Sequence, residues 1–292
     1  NYFLAFANGI QFGRIKTSDY ETLSESYEYL GNNFGFPSQQ AFLGYQGYVI
    51  DPFDEIDLNN LYRSNSNPQK QAVDHDFFVS NSGYNSKHSF NISGQFKEKL
   101  YLGINLNSHY TEFKRIDRLT EFNYGSGSDF IATLFENDLN SIGSGFSFQI
   151  GAIYKFEYFR VGLSYQSPVW YNLTDELFQY LETSKINGID IVDPRVINIY
   201  EYNLKTPSIL SVGLARVFGS KGLITLQYDY TDFTNLKFNV GDGDRNFINQ
   251  NNTIERSLKS AGTLKLGGEY RLSQLSFRAG DRKSTRLNSS HQ

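Results

Sequence analysis

Leu100-Tyr101-Leu102-Gly103-Ile104-Asn105-Leu106-Asn107-Ser108-His109-Tyr110 is the stretch that decides the fold. Leu100, Leu102, Ile104, Leu106 and Tyr110 alternate with Tyr101, Gly103, Asn105, Asn107 and His109. Alternation at period two gives a strand one apolar face and one polar face. Working outward, eight further stretches repeat the pattern. Tyr2–Arg14 and Ser86–Lys97 precede it. Phe146–Lys155 and Phe159–Gln166 follow, joined by the turn Phe156-Glu157-Tyr158. Strands around Leu210–Ala215 and Ile224–Thr231 flank Gly219-Ser220-Lys221-Gly222, a glycine-rich hairpin turn. Leu264–Arg271 and Leu275–Gly280 complete the series.

The gaps between these strands alternate short and long. An outer-membrane barrel has tight turns at one rim and long loops at the other. Each strand is read as about 12 residues, enough for a tilted crossing of about 9–11. The polar face carries Asn, Gln, Lys, Arg, Glu and Gly, whereas the other is bulky and ends in Tyr on several strands. A soluble barrel would turn its bulky side chains inward. With more than eight strands the lumen widens, which favours water or a plug inside and lipid outside. The expectation is therefore an all-β, transmembrane antiparallel β-barrel. Pro168 cannot donate to a ladder, so Ser167-Pro168 is read as a bulge or a strand's rim.

Composition agrees. Aromatics make up 16%, with 25 Phe and 21 Tyr, the ring types that bilayer interfaces favour. The net charge is −4 with no basic block, which argues against a nucleic-acid partner. With no cysteine, disulfides and Cys-ligated metals are excluded. No apolar run reaches the length of a membrane-spanning helix, so a closed barrel is the remaining way to cross.

The chain begins at Asn1 inside a strand pattern and holds no Met, and its N-terminus is read as truncated. The tail 281–292 resembles the translation of a sequencing adapter that breaks into a strand; a genuine polar tail is the other reading. It is set aside from fold and function, which leaves 1–280 as a partial barrel.

The long loop 15–85 is the least barrel-like part. Phe42, Leu43, Tyr45, Tyr48, Val49 and Ile50, then Leu58, Leu61 and Tyr62, recur at spacings of three and four, as short amphipathic helices would. Pro37, Pro52 and Pro68 punctuate them. Two readings stand: an apolar binding surface on an exposed rim, or a lid whose residues pack only on one another.

The ordered set Ser144-Gly145-Phe146 through Lys155, Arg160–Pro168, Tyr202-Asn203-Leu204-Lys205-Thr206-Pro207, Gly222–Tyr230, Leu266–Arg271 and Arg278-Ala279-Gly280 resembles the FadL/TodX family of outer-membrane hydrophobic-compound transporters, in its Bacteroidetes form. The resemblance covers most of 85–280. It implies a fourteen-stranded barrel, about nine strands of it present here, with the N-terminal hatch and the first and last strands missing. It also implies passive uptake of hydrophobic molecules such as long-chain fatty acids, outer-membrane lipid as the surroundings, a monomer, and no cofactor. The family's low-affinity loop groove falls on Phe42, Leu43, Tyr45, Tyr48, Val49 and Ile50. Its kinked strand with a lateral opening falls on Tyr2–Arg14, with Gly9 or Gly13 as the kink.

The polar lumen face suits a hydrophilic channel better than an oily one, unless inward bulky residues such as Tyr101 and Ile153 contribute. A general diffusion porin or structural barrel therefore stays open. A third reading is an esterase. His109 lies on a polar strand face among many serines, but no G-x-S-x-G elbow is present. Gly241-Asp242-Gly243-Asp244 lacks the remaining ligands of a calcium loop and is read as a turn. No catalytic or metal residue is expected.

Overall fold

In a computed structural model of the chain, residues 2–7, 22–53, 61–69, 72–239 and 247–286 are described. The chain divides into two compact units. Unit 1 comprises Asn1–Tyr84, Glu112–Ser141 and Asp175–Tyr200; unit 2 comprises Asn85–Thr111, Ile142–Thr174 and Glu201–Gln292.

The first elements are helices α1 (Leu4–Ala7), α2 (Leu23–Phe34) and α3 (Phe36–Gln46), then the short ribbon β1 (Ile50–Pro52) and β2 (Tyr62–Ser64). Longer strands follow: β3 (Asp74–Phe96), β4 (Leu100–Phe122), β5 (Phe130–Lys155), β6 (Phe159–Gln166), β7 (Trp170–Lys185), β8 (Gly188–Val192) and β9 (Asn198–Lys205). The C-terminal part holds β10 (Ile209–Val217), β11 (Gly222–Asp232), β12 (Lys237–Asn239), α4 (Ile248–Ser257), β13 (Ser260–Leu272) and β14 (Leu275–Arg286).

In unit 2 the strand order is β5–β6–β10–β11–β13–β14, with β3 and β4 beyond β5. The pairs β5–β6, β6–β10, β10–β11, β11–β13 and β13–β14 are all antiparallel. β3 bonds to β4 alone and β14 to β13 alone, so the described strands of unit 2 do not close on themselves. Asp281–Arg286, in the tail set aside above, pairs with Leu266 back to Ala261.

The sheet is inverted relative to a soluble one. On β10, Leu210, Val212 and Leu214 are 43–48% exposed, whereas Asn107 and Ser147 on the polar faces of β4 and β5 are 1% and 0% exposed. In unit 2 the exposed apolar residues on β4, β6, β11 and β13 have the parity that the alternation assigned to one face, Leu102, Leu163, Leu226 and Leu266 among them. The turn Gly219–Gly222 closes a hairpin as expected, with Gly219 at φ 55. β6 ends at Gln166 before Pro168. There the Ser167 hydroxyl accepts from Phe148 N at 2.9 Å and Ser167 N donates to Phe148 O at 2.9 Å, so a side chain continues the ladder.

Four expectations are corrected. Tyr2–Ala7 is not strand: Leu4–Ala7 is helical, because Phe3 and Ala7, four apart, are both fully buried on one helical face. Phe3 meets Phe135 edge-on at 5.3 Å. The strands β3, β4 and β5 have 23, 23 and 26 residues, so 111–145 is no long loop. The extensions belong to unit 1, where charged side chains pair along and between strands instead of alternating. Lys114–Glu112 and Arg115–Asp117 lie at 3.1 and 2.8 Å, and Arg118 pairs with Glu136. The gap 171–205 likewise holds β7, β8 and β9. Ile50 and Tyr62 lie in strands β1 and β2 rather than in a helix, with Tyr62 opposite Pro52 in the ribbon's register.

A helical insert is present within 15–85, although the expected loop ends earlier, because β3 begins at Asp74. Thr22 caps α2 by accepting from Glu25 N, and Pro37 stands in the first turn of α3, where its missing N–H costs nothing. Gly44 lets α1 and α3 touch, since a Cβ there would lie 2.5 Å from Phe3 Cβ.

Candidate functional site

The polar face of unit 2 is tied across strands by side-chain hydrogen bonds. Ser89 donates to Asn107 Oδ1 at 2.8 Å, and the Asn107 amide donates to Ser147 Oγ at 3.2 Å. One layer along, Asn91 donates to Asn105 Oδ1 at 2.6 Å and Asn105 to Gln149 Oε1 at 3.3 Å. Gln227 donates to Asp229 Oδ1 at 2.7 Å, and Lys265 Nζ stands 2.6 Å from Asp229 Oδ2. Lys155 bonds the Tyr101 hydroxyl and lies 4.3 Å from that ring's centroid. Each buried amide and hydroxyl in these belts thus finds a partner, as a water-poor wall requires.

Between the belts lies a glycine floor. Gly162 on β6 faces Gly213 on β10, and Gly151 on β5 faces Ser164 on β6. With Gly103 of β4 they floor a cleft of about 400 Å³ on the polar face, walled by Tyr101, Asn105, Gln149, Ile153, Ser211 and Gln227. Neither space nor backbone conformation demands glycine here. A Cβ at Gly103, Gly151, Gly162 or Gly213 would meet nothing closer than 3.6 Å. At Gly222, by contrast, it would lie 2.2 Å from Glu269 O. What the four glycines do is keep the cleft open and its floor bare. Tyr101 and Ile153, the two bulky residues expected to point inward, both line it.

Behind the same strands, on the apolar face, is a second cleft of about 560 Å³ lined by Ile92, Leu102, Ile104, Ile150, Leu163 and Leu210. Both clefts touch Gly103, Gly151, Ala152 and Ser164. At this place the wall is one backbone thick.

His109 Nε2 lies 2.8 Å from Ser147 Oγ, and its ring meets Tyr171 edge-on at 5.8 Å. A Ser–His pair alone is not a triad, which needs a third group orienting the base. Ser147 is wholly buried and already accepts from Asn107, so it serves here as a cross-strand tie. Alternation places both residues on polar faces, but only the pairing of β4 with β5 brings them together.

The expected loop groove has a different setting, in unit 1. Phe42, Leu43, Val49 and Ile50 are all 2% exposed or less and belong to a core with Phe3, Tyr27, Leu30, Phe135 and Leu181. Tyr45 packs at its margin. Tyr48 is exposed, held at φ 58, with Lys185 Nζ 4.5 Å from its ring centroid. These residues come together as a closed core. Beneath them runs a buried amide web: Tyr27 donates to Gln179 Oε1, Gln40 donates to the same oxygen at 2.7 Å, and Gln179 donates to Asn137 at 2.6 Å. Burial pushes the Tyr27 phenol well above its ordinary pKa, so it remains a neutral donor. Replacing Gln179 by alanine strips partners from Tyr27 and Gln40 at once. We expect a loss of about 1–3 kcal/mol from the unsatisfied groups, read as a lower midpoint of unit 1 in denaturant-dependent proteolysis. Gly9, Gly13 and Gly241–Asp244 lie outside the described residues.

No family model matches this chain, and no curated protein matches it. Two crystal structures of the toluene transporter TodX of Pseudomonas putida overlay on it. One has 11% identity over 74% of this chain and 73% of that chain, with a TM-score of 0.33. The other has 11% identity over 73% and 72%, with a TM-score of 0.35. At such scores the overlays stand as observations, and the reading of the site rests on its own residues.

Proposed function

We propose that the protein is an integral outer-membrane barrel protein of a Gram-negative cell that passes hydrophobic molecules, long-chain fatty acids foremost, passively and without a cofactor. The observation that carries this reading is the inverted sheet of unit 2. In water each bulky side chain left half exposed on the apolar face forgoes roughly half of the about 1.5–3 kcal/mol that full burial gives. Acyl chains restore that energy while the hydrogen-bonded faces turn inward. The glycine-floored cleft then offers a place where an apolar molecule can lie against bare backbone, Tyr101 and Ile153.

Labelled oleate uptake by vesicles holding the whole protein tests the proposal. Uptake above that of empty vesicles, with glucose excluded, is expected. Glucose leakage with oleate uptake at the empty-vesicle level would instead favour a general diffusion pore. The amide and hydroxyl belts support that second reading. A hydrolytic role for His109 would require ester cleavage that disappears in His109→Ala.

The cleft makes its own prediction. Gly162→Ala is expected to leave stability within about 1 kcal/mol of the parent, because the added methyl meets ordinary contacts. Gly162→Phe is expected to fill the cleft and lower oleate uptake several-fold while the protein still inserts. Unchanged uptake in that variant would remove the cleft from the path.

A further inference from the structure

The tight turns of unit 2 share one rim, and backbone bonds tie them in a row. Lys155 N donates to Lys99 O at 2.8 Å, Val217 N to Tyr158 O at 3.0 Å, and Arg271 N to Lys221 O at 2.8 Å. Lys97, Lys99, Arg216 and Lys221 are exposed along this rim. Among the described residues none of the four makes an ion pair, although Glu98 sits between Lys97 and Lys99 and Glu157 lies in a neighbouring turn.

Arg216 is the informative one. It falls in step with Leu210, Val212 and Leu214, and so stands on the apolar face at its turn end. Its guanidinium carbon lies 5.5 Å from the Phe159 ring centroid and 5.1 Å from that of Phe218. Lys97 Nζ lies in the same way 5.2 Å from the Phe96 ring. Cations resting on aromatic faces at the end of an apolar band suit a depth where chains give way to headgroups. A cation there, with no carboxylate partner among the described residues, is open to an anion from outside the protein, and lipid phosphate is an anion at that depth.

We infer that this rim binds the phosphodiester groups of anionic phospholipids, with Arg216 as the central contact and Lys97 and Lys221 beside it. The inference rests on the membrane reading above. Partitioning of the whole protein between phosphatidylcholine vesicles and vesicles with added phosphatidylglycerol, at a urea concentration where insertion is reversible, tests it. A preference for the anionic vesicles of about fivefold per engaged charge is expected. Arg216→Gln should lose its share and Arg216→Lys should keep it. The combined Lys97→Gln, Arg216→Gln, Lys221→Gln variant should show none. Equal partitioning of the parent, or a preference that survives the triple change, overturns the inference. Loss of the preference on adding inorganic phosphate, at constant ionic strength, would assign the rim to free phosphate and also overturn it. Insertion into phosphatidylcholine alone, measured in parallel, reports the membrane reading separately. Should Arg216→Gln fail to insert, the Lys97→Gln, Lys221→Gln pair, confined to the turns, gives the same decision.

Discussion

Val212→Arg is expected to cost about 2–4 kcal/mol of stability in a bilayer, the cost of an arginine near the midplane of a barrel's lipid face. Val212 sits at the centre of β10, paired with Leu163 on one side and Tyr228 on the other, and is 48% exposed. Its outward half is uncovered among the described residues, so on the membrane reading the charge would meet acyl chains. Its neighbour Ser211 has the opposite parity and faces Ser164 and Asp229. Ser211→Arg would place the same side chain beside a carboxylate on a polar wall, and the cost should fall below about 1 kcal/mol. Reversible urea unfolding from vesicles compares the two. Equal costs, or a larger one at Ser211, would mean that the faces are wrongly assigned.

Leu43→Ala is expected to cost about 2–5 kcal/mol in unit 1, the range for leucine truncation in a packed core. Leu43 has no exposed surface, and its neighbours in the core include rings that cannot collapse readily into the gap. Its carbonyl also accepts from Gly47 N at 2.9 Å, which fixes the end of α3 and limits relaxation. Limited proteolysis should show early cutting in the helical insert while the β10–β14 segment stays protected. A cost under about 1 kcal/mol would argue that Phe42, Leu43, Val49 and Ile50 open readily. That result would return them to the role of a ligand groove.

The strands β6, β10, β11 and β13 were readable to within a few residues because every second side chain of each faces one medium. The turns were readable because glycine, or an uninterrupted polar pair, separates the apolar runs. Alternation misled at Tyr2–Ala7, where Tyr2, Leu4 and Phe6 mimic a strand while Phe3 and Ala7 are the buried residues. It failed in the parts of β4 and β5 that belong to unit 1, where apolar and polar side chains no longer alternate. Ion pairs such as Arg118–Glu136 hold these segments and leave no period in the sequence. Of the loop's helices, α2 left no signal that was read and only α3 was legible, in the spacing of Phe42 and Tyr45. That these residues form a closed core was not, since spacing shows which residues share a face but not what covers it. The site was legible least of all. Gly103, Gly151, Gly162 and Gly213 each sit on a polar face in the sequence, but only the strand register gathers them into one floor. The same holds for His109 and Ser147.

The chain contains no cysteine, so single cysteines can be placed and labelled one at a time. Nitroxides at Leu210, Ser211, Val212, Gly213 and Leu214 in the vesicle-bound protein would report, residue by residue, whether oxygen or a water-soluble nickel chelate reaches the strand. Collisions with oxygen should dominate at Leu210, Val212 and Leu214, and collisions with the chelate at Ser211 and Gly213. The opposite phase, or no alternation, would contradict a sheet whose apolar face meets lipid.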